Sequence, residues 1–358
     1  MSPRFPIFLF TALLLAGCSS RTGNEAILIG HIASQNTPAG EHAKQGILLS
    51  VEEVNDGDKV AGQKVTVLHV DSHGDSAVAQ AEAVRLAGVN KVAALVIDAE
   101  PGTIERVAKE LEPYGIPVLT PAVLSAPPSG ENLFTVNLIA PRQGRALARY
   151  AAQQLKPSRF AVLSDQRSAG ATALAAAFVK ELPRDGPGVD QWNFDKPADF
   201  PDLIARVKKT QSDAVLFAGS PTDLPALRAQ LQSADIHGPI LFGGDDLSAM
   251  PAEAREDVYL ATSFAPDSDD IDKDFVRKYR ERFHEAPDIH AALAYESARL
   301  LFKAMKNAKT PAGVAVRKEL VDPEAFNFGK ERMAKRPALI VHWKDGQAKV
   351  VHTEKKDE

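Results

Sequence analysis

Cysteine is almost missing from this chain: its 358 residues include one, Cys18. A single thiol cannot close a disulfide within the chain, so stability has to come from packed cores whatever the redox compartment. Long apolar runs are missing too. After residue 15 nothing approaches the roughly 20 apolar residues a membrane-spanning helix needs, and the longest stretches are short strand-like segments such as 92–97 and 338–341. Charge of one sign is not in excess, with 42 Lys and Arg against 47 Asp and Glu, a net charge of -5. The basic residues are dispersed, which argues against nucleic acid as a partner. Catalytic signatures are also lacking. There is no nucleophile elbow, no phosphate-cradling glycine loop with a lysine, and no helix pairing two histidines with a glutamate, so no enzyme chemistry and no cofactor are expected. The chain is 44% hydrophobic and 25% charged. That is near the globular average, and the length suggests about two domains.

What is present begins at the N-terminus. One charge at Arg4 precedes an apolar run over 5–15 and then Leu15-Ala16-Gly17-Cys18. Residues 1–17 read as an export signal, too short to span a bilayer and ending in small residues where a signal peptidase would cut. The tetrapeptide resembles the bacterial lipoprotein box, which implies acylation of Cys18 and a polar tether over 18–25. A plain secretory signal with an incidental cysteine is the alternative. Acyl chains contribute about 0.8 kcal/mol per buried methylene, enough for several of them to hold a protein at a surface. The expected location is the cell envelope, lipid-anchored on the periplasmic or outer cell-surface side.

Beyond the tether, strand and helix alternate, the rhythm of a parallel sheet. Strands are expected at 26–33, 64–70, 92–97 and 116–120, with helices at 43–54, 76–87 and 103–111 between them. A second series follows a strand at 133–137. Its helices fall at 143–155, 171–182, 202–210 and 223–234, and its strands at 160–163, 189–194, 214–218 and 240–242. The tail reads as helices at 275–283, 291–308 and 313–320, then strands at 325–328, 338–343 and 348–352, with Asp345-Gly346 as a hairpin turn. The expected fold is α/β: two doubly wound parallel-sheet lobes joined by a three-segment hinge. Lobe one takes 26–139 and 266–324, and lobe two takes 140–265 and 325–353. In open α/β sheets ligands bind beyond the carboxyl ends of the strands. The loops at 34–37, 71–73, 98–103, 120–125, 164–168, 219–222 and 243–246 therefore outline a cleft. Gly102-Thr103 opens a helix there, so it is either an anion site or an ordinary helix start.

Gly40, Gly46 and Asn55 in the first helix, the acidic loop 71–75, Gly115-Ile116-Pro117-Val118 with Thr120-Pro121-Ala122, and Asp199-Phe200 with Leu203-Ile204 are arranged in a familiar order. So are Phe275-Val276, Tyr279-Arg280, Arg282-Phe283, Pro287 and the run from Ala291 to Glu296. In these residues the chain resembles the type I periplasmic binding proteins of branched-chain amino acid transporters, the leucine/isoleucine/valine-binding group. The resemblance implies two lobes closing on a ligand, and partners in a small amino-acid-like molecule and an ABC permease in the membrane. It places Asp245 as the contact to a ligand ammonium, with Asp246 as an alternative contact and helix capping as another role for Asp245. Ser220 and His290 fall where the family often has aromatic contacts. Ala122 lies in the matching stretch, and Ser125 adjoins Leu124, which aligns with a threonine contact.

The chain also departs from the pattern. Asp98-Ala99-Glu100-Pro101 replaces the usual run of small hydroxyl residues, and its two carboxylates would oppose an anionic ligand. Arg167, near an expected aromatic wall, either binds a carboxylate or pairs with Asp165. The expected ligand-binding set is thus Gly102, Thr103, Ala122, Ser125, Arg167, Ser220, Asp245 and His290. Strand alternation puts His69, Asp71 and His73 on one side, but a solvated acidic turn accounts for them more simply and no metal is expected. Two functions follow: a solute-binding lipoprotein that captures a small ligand and hands it to a permease, or an envelope lipoprotein that keeps the fold and acts through protein-protein contacts.

Overall fold

In the computed structural model, strand and helix boundaries follow from local chemistry. Residues 26–246, 255–266, 268, 272–323, 326 and 328–354 are described. Cys18, the export signal and the tether lie outside them. Helix α1 (Pro38–Asp56) starts where the Thr37 hydroxyl accepts the Gly40 N–H and proline takes the first helical position, and α2 (Ser76–Gly88) starts where Asp75 accepts two N–H groups. With α3 (Pro101–Leu111) they alternate with β1 (Ile27–Ala33), β2 (Val65–Asp71), β3 (Ala94–Ile97), β4 (Val118–Thr120) and β5 (Leu133–Thr135). These five strands pair in the order β2-β1-β3-β4-β5, all parallel. Ile27 and Ile29 of β1 face one helical layer and Ile32 the other, so apolar side chains serve both sides of the sheet.

The second lobe repeats the plan. Helices α4 (Ala140–Tyr150), α5 (Ala169–Glu181), α6 (Phe200–Thr210) and α7 (Leu224–Ser233) alternate with β6 (Arg159–Asp165), β7 (Gly188–Phe194), β8 (Ala214–Ala218) and β9 (Ile240–Phe242). Then come β10 (Val258–Thr262) and, from the end of the chain, β11 (Ala338–Lys344) and β12 (Gln347–Glu354). The sheet runs β12-β11-β10-β9-β8-β6-β7, with the last two strands of the chain antiparallel at one edge. Asp345 and Gly346 sit at φ 54° and 73°, the positive values a two-residue hairpin demands.

Between β10 and β11 the chain returns to the first lobe as α8 (Lys273–Phe283), α9 (Ile289–Ala308) and α10 (Gly313–Leu320). Leu293, Ala294 and Ala298 of α9 join Ile29 and Ile47 in one core. The chain therefore passes between lobes three times, after β5, after β10 and before β11.

Two expectations need correction. Strand β10 fills 258–262, where periodicity predicts no element; it is five residues long and buried between β9 and β11. Of the strand expected at 325–328, Phe326 and Phe328 are described, and neither is in a strand. Phe326 and Phe328 are buried in the first-lobe core with Ala334, Phe328 edge-on to Phe134 at 5.5 Å. Alternating phenylalanines look like a strand, but here both rings plug the first lobe before the chain enters the second sheet at Ala338.

Candidate functional site between the lobes

The carboxyl ends of the two sheets face each other across a cavity of about 560 Å³. Glu100, Pro101, Gly102 and Val123 supply the first-lobe wall, and the opposite wall includes Asp165, Arg167, Gly219, Gly243, Gly244 and Asp245. The helix starts Pro101-Gly102 and Ser168-Ala169-Gly170 both border it. A second pocket of about 300 Å³ adjoins it within the first lobe, lined among others by Ser34, Asp75, Asp98, Thr103 and His290.

Three expected residues, Gly102, Arg167 and Asp245, meet in the main cavity. Thr103 and His290 line the neighbouring pocket. Ala122, Ser125 and Ser220 border neither. Ala122 donates its N–H to the Thr120 hydroxyl, and Ser220 starts a short turn by accepting the Thr222 N–H. Leu124 is fully buried in the first-lobe core.

The polar groups are held by specific partners. The Thr103 hydroxyl lies 2.6 Å from that of Ser76 and accepts from Arg106 at 3.3 Å, so as an anion donor it is already engaged. Arg167 makes a two-pronged contact with Asp165, Nε to Oδ1 at 3.0 Å and Nη2 to Oδ2 at 2.7 Å. That hydrogen bonding holds the Asp165 carboxyl below its ordinary range. Of the two roles open to Arg167 in the sequence, pairing with Asp165 is the one present.

Asp245 and Asp246 face different partners. Asn137 donates from Nδ2 to Asp245 Oδ2 at 2.8 Å and to the Pro121 carbonyl at 2.9 Å. Burial raises the Asp245 pKa against that hydrogen bond. Asp246 accepts from His290 Nε2 at 3.1 Å, and the other ring nitrogen of His290 is 3.8 Å from Asp98 Oδ2. Burial pulls the His290 pKa down, but hydrogen bonds to Asp246 and Asp98 carry it up to about 11. His290 is thus an imidazolium joining the first lobe to the second.

Asn137 is missing from the sequence-based set. It is buried in the first crossing between lobes, and its Oδ1 accepts from Ser263 in the second crossing at 2.7 Å. A polar residue inside the apolar run Val136-Asn137-Leu138-Ile139 was the available signal. Of the histidine-rich turn, Asp71 accepts the backbone N–H groups of Gln35 and His73, while His69 faces His31.

Comparison with known proteins agrees with this architecture. The chain is 27% identical to Leu/Ile/Val-binding protein homolog 3 of Brucella melitensis, a match spanning 62% of this chain and 62% of that protein. It is 24% identical to Leu/Ile/Val-binding protein homolog 7 of Brucella suis over 97% of this chain and 96% of the relative. The crystal structure of a leucine binding protein, LivK of Thermotoga maritima, superposes with a TM-score of 0.82 at 22% identity, covering 92% of this chain and 99% of that one. A family model described as periplasmic binding protein matches residues 27–347. With two parallel-sheet lobes facing across a cavity and a match over nearly its whole length, the chain belongs to the periplasmic binding protein family.

Proposed function

We propose that this chain captures a small amino-acid-like ligand between its lobes and delivers it to an ABC permease, as a lipoprotein held at the membrane through Cys18. The observation that carries the reading is the cavity of about 560 Å³ with walls from both lobes. Its volume is in the range usual for small-molecule sites. A ligand touching both walls favours the closed arrangement by its differential affinity, which couples occupancy to shape. A permease can read that shape. Gly102, Arg167 and Asp245 are the proposed contacts, and the two relatives named for leucine, isoleucine and valine support an amine-bearing ligand. No helix among the described residues is long and apolar enough to cross a membrane.

Thermal unfolding against a panel of amino acids and related amines tests capture. A true ligand at a hundredfold excess over Kd stabilises the chain by about 2.7 kcal/mol, and a panel that shifts nothing would sink the reading. Anchoring has its own test: Cys18→Ser should release the chain from the membrane fraction.

A further inference from the structure

Resting on that reading, we propose that the cleft takes an organic cation, a primary amine that carries no carboxylate. Three acids, Glu100, Asp165 and Asp245, border the main cavity with Arg167. Arg167 spends Nε and Nη2 on Asp165. In the adjoining pocket His290 is held by Asp246 and Asp98, and Asp75 is occupied as the cap of α2. The two cations that line these pockets, Arg167 and His290, are therefore matched by the protein's own acids, while Arg106 beside Gly102 donates to the Thr103 hydroxyl.

Among the described residues Glu100 and Asp245 form no ion pair, although the His290 charge also acts on Asp245. Glu100 is exposed at the start of α3, and its side chain makes no capping hydrogen bond. Asp245 has the neutral Asn137 amide as its partner on Oδ2. One of these carboxylates comes from each lobe. An ammonium group between them meets attraction from both walls only when the walls approach, whereas a ligand carboxylate at the first-lobe wall meets Glu100 as a like charge. The helix starts at Gly102 and Ala169 carry partial positive charge, but Glu100 stands at the first of them as a full negative charge and the Ser168 hydroxyl caps the second.

Titration calorimetry on the full chain separates the possibilities, using 3-methylbutylamine, 1,4-diaminobutane, L-leucine and 4-methylpentanoate. One of the amines should bind at least tenfold more tightly than leucine, and 4-methylpentanoate should give no heat. Glu100→Gln, a change at an exposed side chain, should weaken the amine and tighten leucine; Asp245→Asn should weaken the amine. Leucine binding more tightly than both amines, or Glu100→Gln leaving the preference unchanged, overturns the cation assignment while capture itself stands. No heat from any of the four overturns the assignment, and silence across the amino acid panel as well overturns the transport reading.

Discussion

His31 is fully buried in β1, and its Nδ1 lies 2.8 Å from Nδ1 of His69, its register partner in β2. One ring must donate and the other accept, which two neutral tautomers can do and two imidazolium ions cannot. Burial lowers the pKa of both rings, His31 well below its ordinary value and His69 to about 4, with Lys44 adding to the shift. The folded value of His69 is below the unfolded one near 6.5, so the unfolded chain binds protons first as pH falls. Its neutral state in the fold supports stability above pH 6.5 and loses that support between 6.5 and about 4. Urea unfolding should show the chain less stable at pH 4 than at pH 7 by about 3 kcal/mol from this group. Replacing both rings, His31→Leu with His69→Leu, should shrink the difference by at least that amount, because His31 is lowered as well; an undiminished difference would place the acid sensitivity elsewhere. Spacing within one strand suggested His69 beside Asp71 and His73. The neighbour that matters comes from strand register, which a single sequence does not contain.

At the scale of elements, close approach decides more than propensity. A Cβ added at Gly46 in α1 would lie 2.1 Å from the carbonyl oxygen of Ala291 in α9, a backbone atom that cannot swing aside. Asn55, near the other end of α1, donates to the Val65 carbonyl and accepts the Val65 N–H, pinning the helix to the start of β2. Both residues carried the family resemblance, and both have a packing reason to be what they are. Gly46→Ala should force α1 and α9 apart at a cost of about 1–3 kcal/mol. Chemical denaturation of the variant checks it, and an unchanged midpoint would mean the helices have slack there. The doubly wound pattern was legible because each strand and helix repeats a local period. Strand β10 was not, because five residues without a flanking turn signal give no period to read. Phe326 and Phe328 were misread because alternation records which side chains are apolar, not which lobe receives them. At the site, Gly102 and Asp245 were legible from the rule that ligands meet strand ends, whereas the partners that engage Thr103, Arg167 and His290 depend on distances between loops.

Across the whole molecule, three chain crossings let the lobes move as bodies, and a few polar contacts bias where they rest. Asn137 sits in the first crossing, bonded to Ser263 in the second and to Asp245 on the far lobe. The His290–Asp246 pair crosses the mouth beside it, with both side chains about a quarter exposed. Because the folded His290 pKa near 11 is above the unfolded value, this pair's contribution is complete below pH 6.5 and fades only as pH rises toward 11. Lobe contact should therefore hold through neutral pH, while the His31–His69 pair yields on the acid side. A hydrogen bond to a charged group contributes about 1.5–3 kcal/mol. If that energy favours the closed arrangement, Asp246→Ala should raise the ligand Kd by about tenfold or more. Small-angle scattering of the ligand-free variant should then show a larger radius of gyration than the parent at pH 7. A variant with unchanged radius and affinity would show that Asn137 and the crossings hold the lobes without the imidazolium, moving control of closure from the mouth of the cleft to its hinge.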